Sequence, residues 1–194
     1  MADVLETHIT VSCPPGGIPR LAAWAAARGL GFTHIELARG LARSQPMVNV
    51  RGDATVAVRD LVADGFAVVR VKTEAAPWAA SVPQRDDDPR EAGQYFEHHV
   101  KLLLPADHER PALERLATPH GAHLSWNARR VRPDGRQERF VTQRCHDAGR
   151  DTAERRLTAL LDALRAAGHH ILEVEREFVL HDSNLALDDG WIAR

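Results

Sequence analysis

The residues that could do chemistry lie in short runs where charged side chains alternate with apolar ones. Glu6, His8 and Thr10 are interleaved with Thr7, Ile9 and Val11, Asn49 and Arg51 with Val48 and Val50, and Arg70, Lys72 and Glu74 with Val71 and Thr73. A second set follows the same order: Glu97, His99 and Lys101, then Thr142 and Arg144, then Glu173, Glu175 and Glu177. Successive side chains of a strand point to opposite faces, so each run puts its charged members on one face. Carboxylates two residues apart on such a face offer the oxygen ligands that suit Mg2+ or Mn2+, which assigns metal binding to Glu173 and Glu175, with Glu97. Arg51, Arg70, Lys72, Lys101 and Arg144 supply positive charge for a substrate phosphate. His8 and His99, beside Glu6 and Glu97, are the candidate acid–base pair. The expected chemistry is metal-dependent hydrolysis, or a related reaction, of a small phosphorylated molecule such as a triphosphate or phosphoester. The alternative is a non-catalytic module that uses the same face for a metabolite, RNA or a second protein. A charged row is also what the solvent side of a one-sided antiparallel sheet looks like.

These runs are positioned by an internal duplication. Residues 6–11 are echoed by 97–102, 37–39 by 127–129, 46–51 by 139–144, and 68–74 by 171–177, in the same order. The spacing predicts a first unit over 1–77, a solvated Pro-containing acidic linker over 78–92, a second unit over 93–184 and a tail over 185–194 that Trp191 pins to the body. Within the first unit, alternation predicts strands over 4–11, 33–39 and 46–51. Helical spacing predicts a helix from Ile18 that Gly29 ends, and a second over 54–64, before the closing strand. The second unit matches with helices over 109–118 and 151–167 and strands over 122–131 and 138–144, which turn at Pro133-Asp134-Gly135. Leu157, Leu160, Leu161 and Leu164 form the clearest apolar stripe in the chain. A βαββαβ order with both helices on one face of an antiparallel sheet is the ferredoxin-like arrangement. The fold class is therefore α+β, a tandem duplication of that unit, with sheets that face each other across a cleft or close toward a barrel.

With 25 basic and 27 acidic residues, the net charge of −2 excludes a global field that would draw the molecule onto nucleic acid or an anionic membrane. Cys13 and Cys145 lie far apart and outside any ligand cluster, which excludes a disulfide framework or a structural zinc site and fits a reducing cytoplasm. Cys145 adjoins His146, but neighbours on a strand face opposite ways. No apolar run approaches the roughly 20 residues of a membrane helix, so no membrane partner is expected. The sequence sets no oligomeric state.

Glu173-Val174-Glu175-Arg176-Glu177-Phe178 resembles the acidic strand motif of the CYTH family, and Glu97-x-His99-x-Lys101 is a looser echo of it. The resemblance implies a duplicated α+β unit closed into a tunnel for triphosphates and metal, with Glu173 and Glu175 as metal ligands. Two features depart from that pattern: the motif lies near the C-terminus instead of opening the domain, and Glu177 stands where the family has lysine. His8-Ile9-Thr10 and His123-Leu124-Ser125 are similar to the paired signatures of the two-histidine phosphoesterases, which implies one imidazole as base, the other as acid, and hydroxyls on the phosphate. In the repeat, however, His8 corresponds to His99. Arg129, Arg130, Arg132, Arg136 and Arg139 crowd one hairpin and make RNA or DNA a secondary candidate partner.

Overall fold

A computed structural model describes residues 5–128 and 132–192. The expected strand residues 129–131, with Arg129 and Arg130, lie outside the described residues. The first unit runs β1 (Leu5–Ser12), α1 (Ile18–Ala27), β2 (Gly31–Leu37), β3 (Ser44–Arg51), α2 (Thr55–Ala63) and β4 (Ala67–Ala75). The second runs β5 (Tyr95–Leu104), α3 (Arg110–Ala117), β6 (Ala122–Asn127), β7 (Gln137–Cys145), α4 (Arg150–Ala166) and β8 (His170–Asp182). Each unit is a ferredoxin-like sheet, and the two join edge to edge into one closed barrel in the order β1-β3-β2-β6-β7-β5-β8-β4. The joins are antiparallel. β2 meets β6 from Ile35↔Asn127 to Leu37↔Ser125, and β4 meets β8 from Lys72↔Asp182 to Ala75↔Phe178. Closure removes every free sheet edge, which two separate four-stranded sheets would expose.

Register makes the duplication explicit. Glu6 pairs with Arg51 and Glu74, as Glu97 pairs with Arg144 and Glu177. His8 lies opposite Asn49 and Lys72, as His99 lies opposite Thr142 and Glu175. Even the bulges correspond, one after Thr10 and the other after Lys101. A bulge tightens twist locally, and equivalent bulges let both sheets curl by the same amount toward closure.

The apolar members of each strand point outward, under the helices. Ile9, Val11 and Val48 pack with Leu21, Trp24 and Leu61 of α1 and α2. Val100, Leu102, Leu124 and Val141 pack with Leu113 of α3 and with Leu157, Leu160 and Leu164 of α4. With both outer faces thus covered, the charged rows have nowhere to point but inward. No helix of the described residues is long and apolar enough to cross a membrane.

The connection over 78–92 does more than tether the units. Ala79 and Val82 are buried against Phe96, Phe178 and Ala153, and the Asp86 carboxylate accepts hydrogen bonds from the Gly149 amide (2.7 Å) and the Thr152 hydroxyl (2.8 Å) at the start of α4. Two further amides there, of Arg150 and Asp151, donate to the carbonyls of Pro83 and Gln84. The N-terminus of α4 is thus satisfied by the connection. Close approach requires glycine at 149, because a Cβ there would collide with the Arg85 backbone. Gly149→Ala is expected to cost roughly 1–3 kcal/mol in urea unfolding, whereas Gly16→Ala, which meets nothing within 4 Å, leaves the midpoint near that of the parent. Equal midpoints would show that the connection does not hold α4.

Candidate functional site

The inward faces enclose a cavity of about 320 Å³. Its two ends differ. β8 finishes beside the start of β5, and from there residues 185–192 fold back across that end of the barrel. The Trp191 indole N–H donates to the Leu124 carbonyl at 2.9 Å, and Gly40, at φ +105°, leaves room for the Trp191 backbone. At the other end lie Glu6, Arg51, Glu173 and Glu175, all exposed, with Lys101 half-buried. One end is therefore plugged, and the other is a mouth.

Beneath the plug lies a continuous chain of paired charges. Asp182 and Asp188 hold the Arg70 guanidinium, with Arg70 Nη1–Asp188 Oδ2 at 2.8 Å. Asp188 also takes Arg144 Nη2 at 2.7 Å and the Gln45 amide at 2.8 Å. Arg144 Nε reaches Glu97 at 2.6 Å, Glu97 contacts Lys72, and Lys72 Nζ lies 2.6 Å from Glu74. Burial alone would raise the Glu97 pKa, but Arg144 and then Lys72 hold it well below the usual carboxylate range. Burial likewise opposes ionisation of Glu74, and Lys72 followed by His8 overrides it, bringing the pKa down to about 2. Asp188 is depressed against its own burial by Arg144 and Arg70. This floor is ionised and fixed.

At the centre, between floor and mouth, stand both imidazoles. His8 Nδ1 lies 3.0 Å from Asn49 Oδ1, and its Nε2 lies 2.9 Å from Glu74. His99 repeats this with Nδ1 at 2.9 Å from the Thr142 hydroxyl and Nε2 at 3.4 Å from Glu177 and 3.5 Å from Glu97. Burial would lower the His99 pKa, but Glu177 and Glu97 raise it to about 10. His8 rises for the same reason, with Glu74 outweighing burial. Glu177 moves the other way, pushed up by burial and by the Glu74 charge. Two three-residue arrangements could hold a metal ion, His8 with Glu74 and Glu177, and Glu97 with His99 and Glu177, each with its ligand atoms within 4.8 Å of one another.

The barrel gathers most of the residues singled out by alternation, although not in the roles that pattern suggested. His8, His99, Arg70, Lys72, Lys101, Arg144, Glu97 and Glu175 all line the cavity. Arg51 does not: it ends β3 at the rim and is exposed. Glu173, expected as a metal ligand, is also exposed, and it is drawn to Lys101 at the mouth. Neither it nor Glu175 joins a ligand cluster, where Glu177 and Glu74 stand with Glu97 instead. The phosphate-binding expectation for Arg70, Lys72 and Arg144 meets the carboxylates already held by each. His8 finds its carboxylate in Glu74, across the β1–β4 pair, and not in Glu6. His123 and His8 do not share a site: His123 lies under the plug, with Nδ1 2.7 Å from Arg39 and its ring beside Trp191. Cys145 is buried on the outer face, against Phe96 and Ala148. Among the hairpin arginines, Arg132 and Arg136 are taken up by Asp134 and Glu138.

Alternation did not point to Asp182, Asp188 or Gln45. The first two follow the last alternating run, and only their spacing to a pinned Trp191 hinted that the tail reaches the body.

No family model matches the chain, and no curated protein is similar to it in sequence. Among solved structures, the acetolactate synthase small subunit from Thermotoga maritima is 13% identical, with 91% of this chain and 93% of that chain covered at a TM-score of 0.33. A chlorite dismutase variant from Candidatus Nitrospira defluvii is 12% identical, with 97% and 94% covered at a TM-score of 0.30. Similarity at that level says nothing about ligand or reaction.

Two measurements probe this geometry. Asp188→Asn leaves Arg70 and Arg144 short of a buried counter-charge and is expected to cost about 3 kcal/mol in denaturant unfolding, and a loss of a few tenths would mean that the plug does not stabilise the floor. The second concerns pH. Burial, and then Arg39, lower the His123 pKa from 6.5 to about 4. The folded chain therefore binds fewer protons there than the unfolded chain between those values, and the stability it contributes is present above pH 6.5 and lost as pH falls toward 4. Between pH 6.5 and 4, His123→Gln should flatten the acid loss of stability relative to the parent, by an amount on the order of 2–3 kcal/mol. Parallel profiles would contradict it.

Proposed function

We propose that the chain is a divalent-metal-dependent hydrolase of a small phosphorylated substrate, with the reaction inside the barrel. The observation that supports this most is the convergence of His8, His99, Glu74, Glu97 and Glu177 at the centre of one cavity. A closed barrel with a charged interior is in keeping with the CYTH resemblance, although the plug leaves one mouth where that resemblance implies a tunnel. A divalent ion, when bound there, would supply Lewis acidity at the scissile phosphate. The chain's own residues do the rest. Glu97 and Glu177 would hold the ion, Lys101 and Arg51 would meet the substrate's anionic end at the mouth, and the plugged floor would keep bulk water from the far side. Arg70 and Arg144 act as the frame for Glu97 and Asp188, since their charge is already committed.

That same commitment favours a second reading, a module that captures a cationic ligand or metal without turnover. With Arg70, Lys72 and Arg144 neutralised, the mouth keeps Glu6, Glu173 and Glu175 against Arg51 and Lys101, a balance that attracts cations more than phosphate.

Phosphate release from nucleoside triphosphates, inorganic polyphosphate and cyclic phosphates, measured with Mg2+ and with Mn2+, separates the two. Hydrolysis is expected to fall at least about tenfold in Glu177→Gln, and to hold in Glu154→Gln, on the outer helix α4. No metal-dependent release from any of these substrates would reject the hydrolase in favour of the binding module.

A further inference from the structure

We infer that His8 and His99, one from each repeat, are the nitrogen ligands of a single first-row transition-metal ion that is centred on Glu177 and completed by Glu74 and Glu97. This rests on the reading of the barrel cavity as the functional site, and it deepens that reading by changing the ion and the part played by the imidazoles. Carboxylates alone suit Mg2+, whereas imidazole beside carboxylate suits zinc, manganese or ferrous iron.

Orientation carries the argument first. A metal-ligating histidine uses its second ring nitrogen to fix the ring against a neighbour. Both rings here are fixed that way, by residues at corresponding places in the two units. The Asn49 amide donates to the Thr33 hydroxyl at 2.8 Å, so its carbonyl oxygen is the atom that faces His8 Nδ1, and that nitrogen carries the proton. Thr142, the counterpart of Asn49, holds His99 Nδ1 at 2.9 Å. Nε2 of each ring is left to point at the carboxylates of the cavity centre.

Compactness and charge come next. Nitrogen and oxygen ligands sit about 2.0–2.2 Å from such an ion, so ligands across it lie up to about 4.4 Å apart. Inside each cluster the ligand atoms lie within 4.8 Å of one another, while His8 and His99 belong to different clusters, and one ion draws both rings in toward the shared Glu177. The two clusters share Glu177, which makes its carboxylate the fixed point with an imidazole on either side. Both Glu74 oxygens are buried without a hydrogen bond of good geometry, held only by the nearby charges of Lys72 and His8. Glu177 has no lysine or arginine within ion-pair distance among the described residues. Lys72 stays on the outer oxygens of Glu74 and Glu97 and orients them.

The test uses the full chain, stripped with a chelator and titrated with Co2+ as a spectroscopic probe and with Mg2+ as the competitor. One Co2+ per chain is expected, with visible ligand-field bands, two histidine rings shifted at Nε2 by NMR, and no displacement by excess Mg2+. His8→Gln and His99→Gln should each weaken Co2+ binding at least about tenfold, while His181→Gln, an exposed histidine of β8, leaves it unchanged. Circular dichroism on each variant separates lost ligands from lost folding, and the ring shifts need only the parent protein. The assignment is overturned by a folded parent that takes up no Co2+ or two ions, or by either central imidazole proving dispensable. Its fate is independent of the hydrolase reading. Tight Co2+ binding without phosphate release would sink only the reaction, and Mg2+-driven hydrolysis indifferent to both histidine variants would sink only the ion.

Discussion

Everything inside this barrel depends on the pairing of buried charges around Glu97 and Asp188. A carboxylate or guanidinium removed from water costs several kcal/mol unless the partner geometry is good and its remaining hydrogen bonds are met. Here each floor cation touches two carboxylates, so no member is left alone: Arg70 bridges Asp182 and Asp188, Arg144 bridges Asp188 and Glu97, and Lys72 bridges Glu97 and Glu74. An apolar interior would be easier to build. Retaining a fully paired polar one makes sense where the interior must present fixed charges to something at its centre.

The duplication explains both the order and the asymmetry of that interior. Two equivalent sheets joined β2 to β6 and β4 to β8 are related by an axis across the barrel, and equivalent residues therefore lie toward opposite ends. Glu97 and Arg144 are buried at the plugged end, while their counterparts Glu6 and Arg51 are exposed at the mouth. Arg70 and Lys72 lie deep, and their counterparts Glu173 and Glu175 lie near water. Residues near the axis keep corresponding positions, as His8 and His99 do, each with one ring nitrogen on Asn49 or Thr142 and the other on a carboxylate. The tail breaks the symmetry, because it follows the second unit and can cover one end only.

Much of this was legible in the sequence, because alternation and repetition are local signals. Strand parity assigned the inward rows, and the echo of 68–74 in 171–177 aligned Glu74 with Glu177 before any coordinate. What stayed hidden depends on long-range closure. Asp188 sits in an irregular tail, 118 residues from Arg70, and no periodicity marks it as a counter-ion. Glu177 departs from a lysine-ending motif in sequence, yet it is the carboxylate shared by both clusters that could hold an ion. Arg51 and Glu173 have the correct parity, but parity does not say how far along a tilted strand the lumen ends. Asp86 reads in sequence as part of a solvated acidic run, and only the fold sets it against the start of α4.

The division between floor and centre also predicts how function and stability separate in this fold. Floor residues hold one another and meet the plug, so their removal is felt as lost folding energy. The central imidazoles are held differently, each by one contact to a neutral Asn or Thr on one nitrogen and by carboxylates on the other, of which Glu74 and Glu97 are anchored from behind by Lys72 and Arg144. An ion bound there as proposed would meet ring nitrogens and carboxylates already aimed, and much of the cost of organising the site would have been met during folding. The buried salt-bridge network and the central imidazoles and carboxylates are thus one construction, in which Lys72 and Arg144 keep Glu74 and Glu97 ionised at the centre of the cavity.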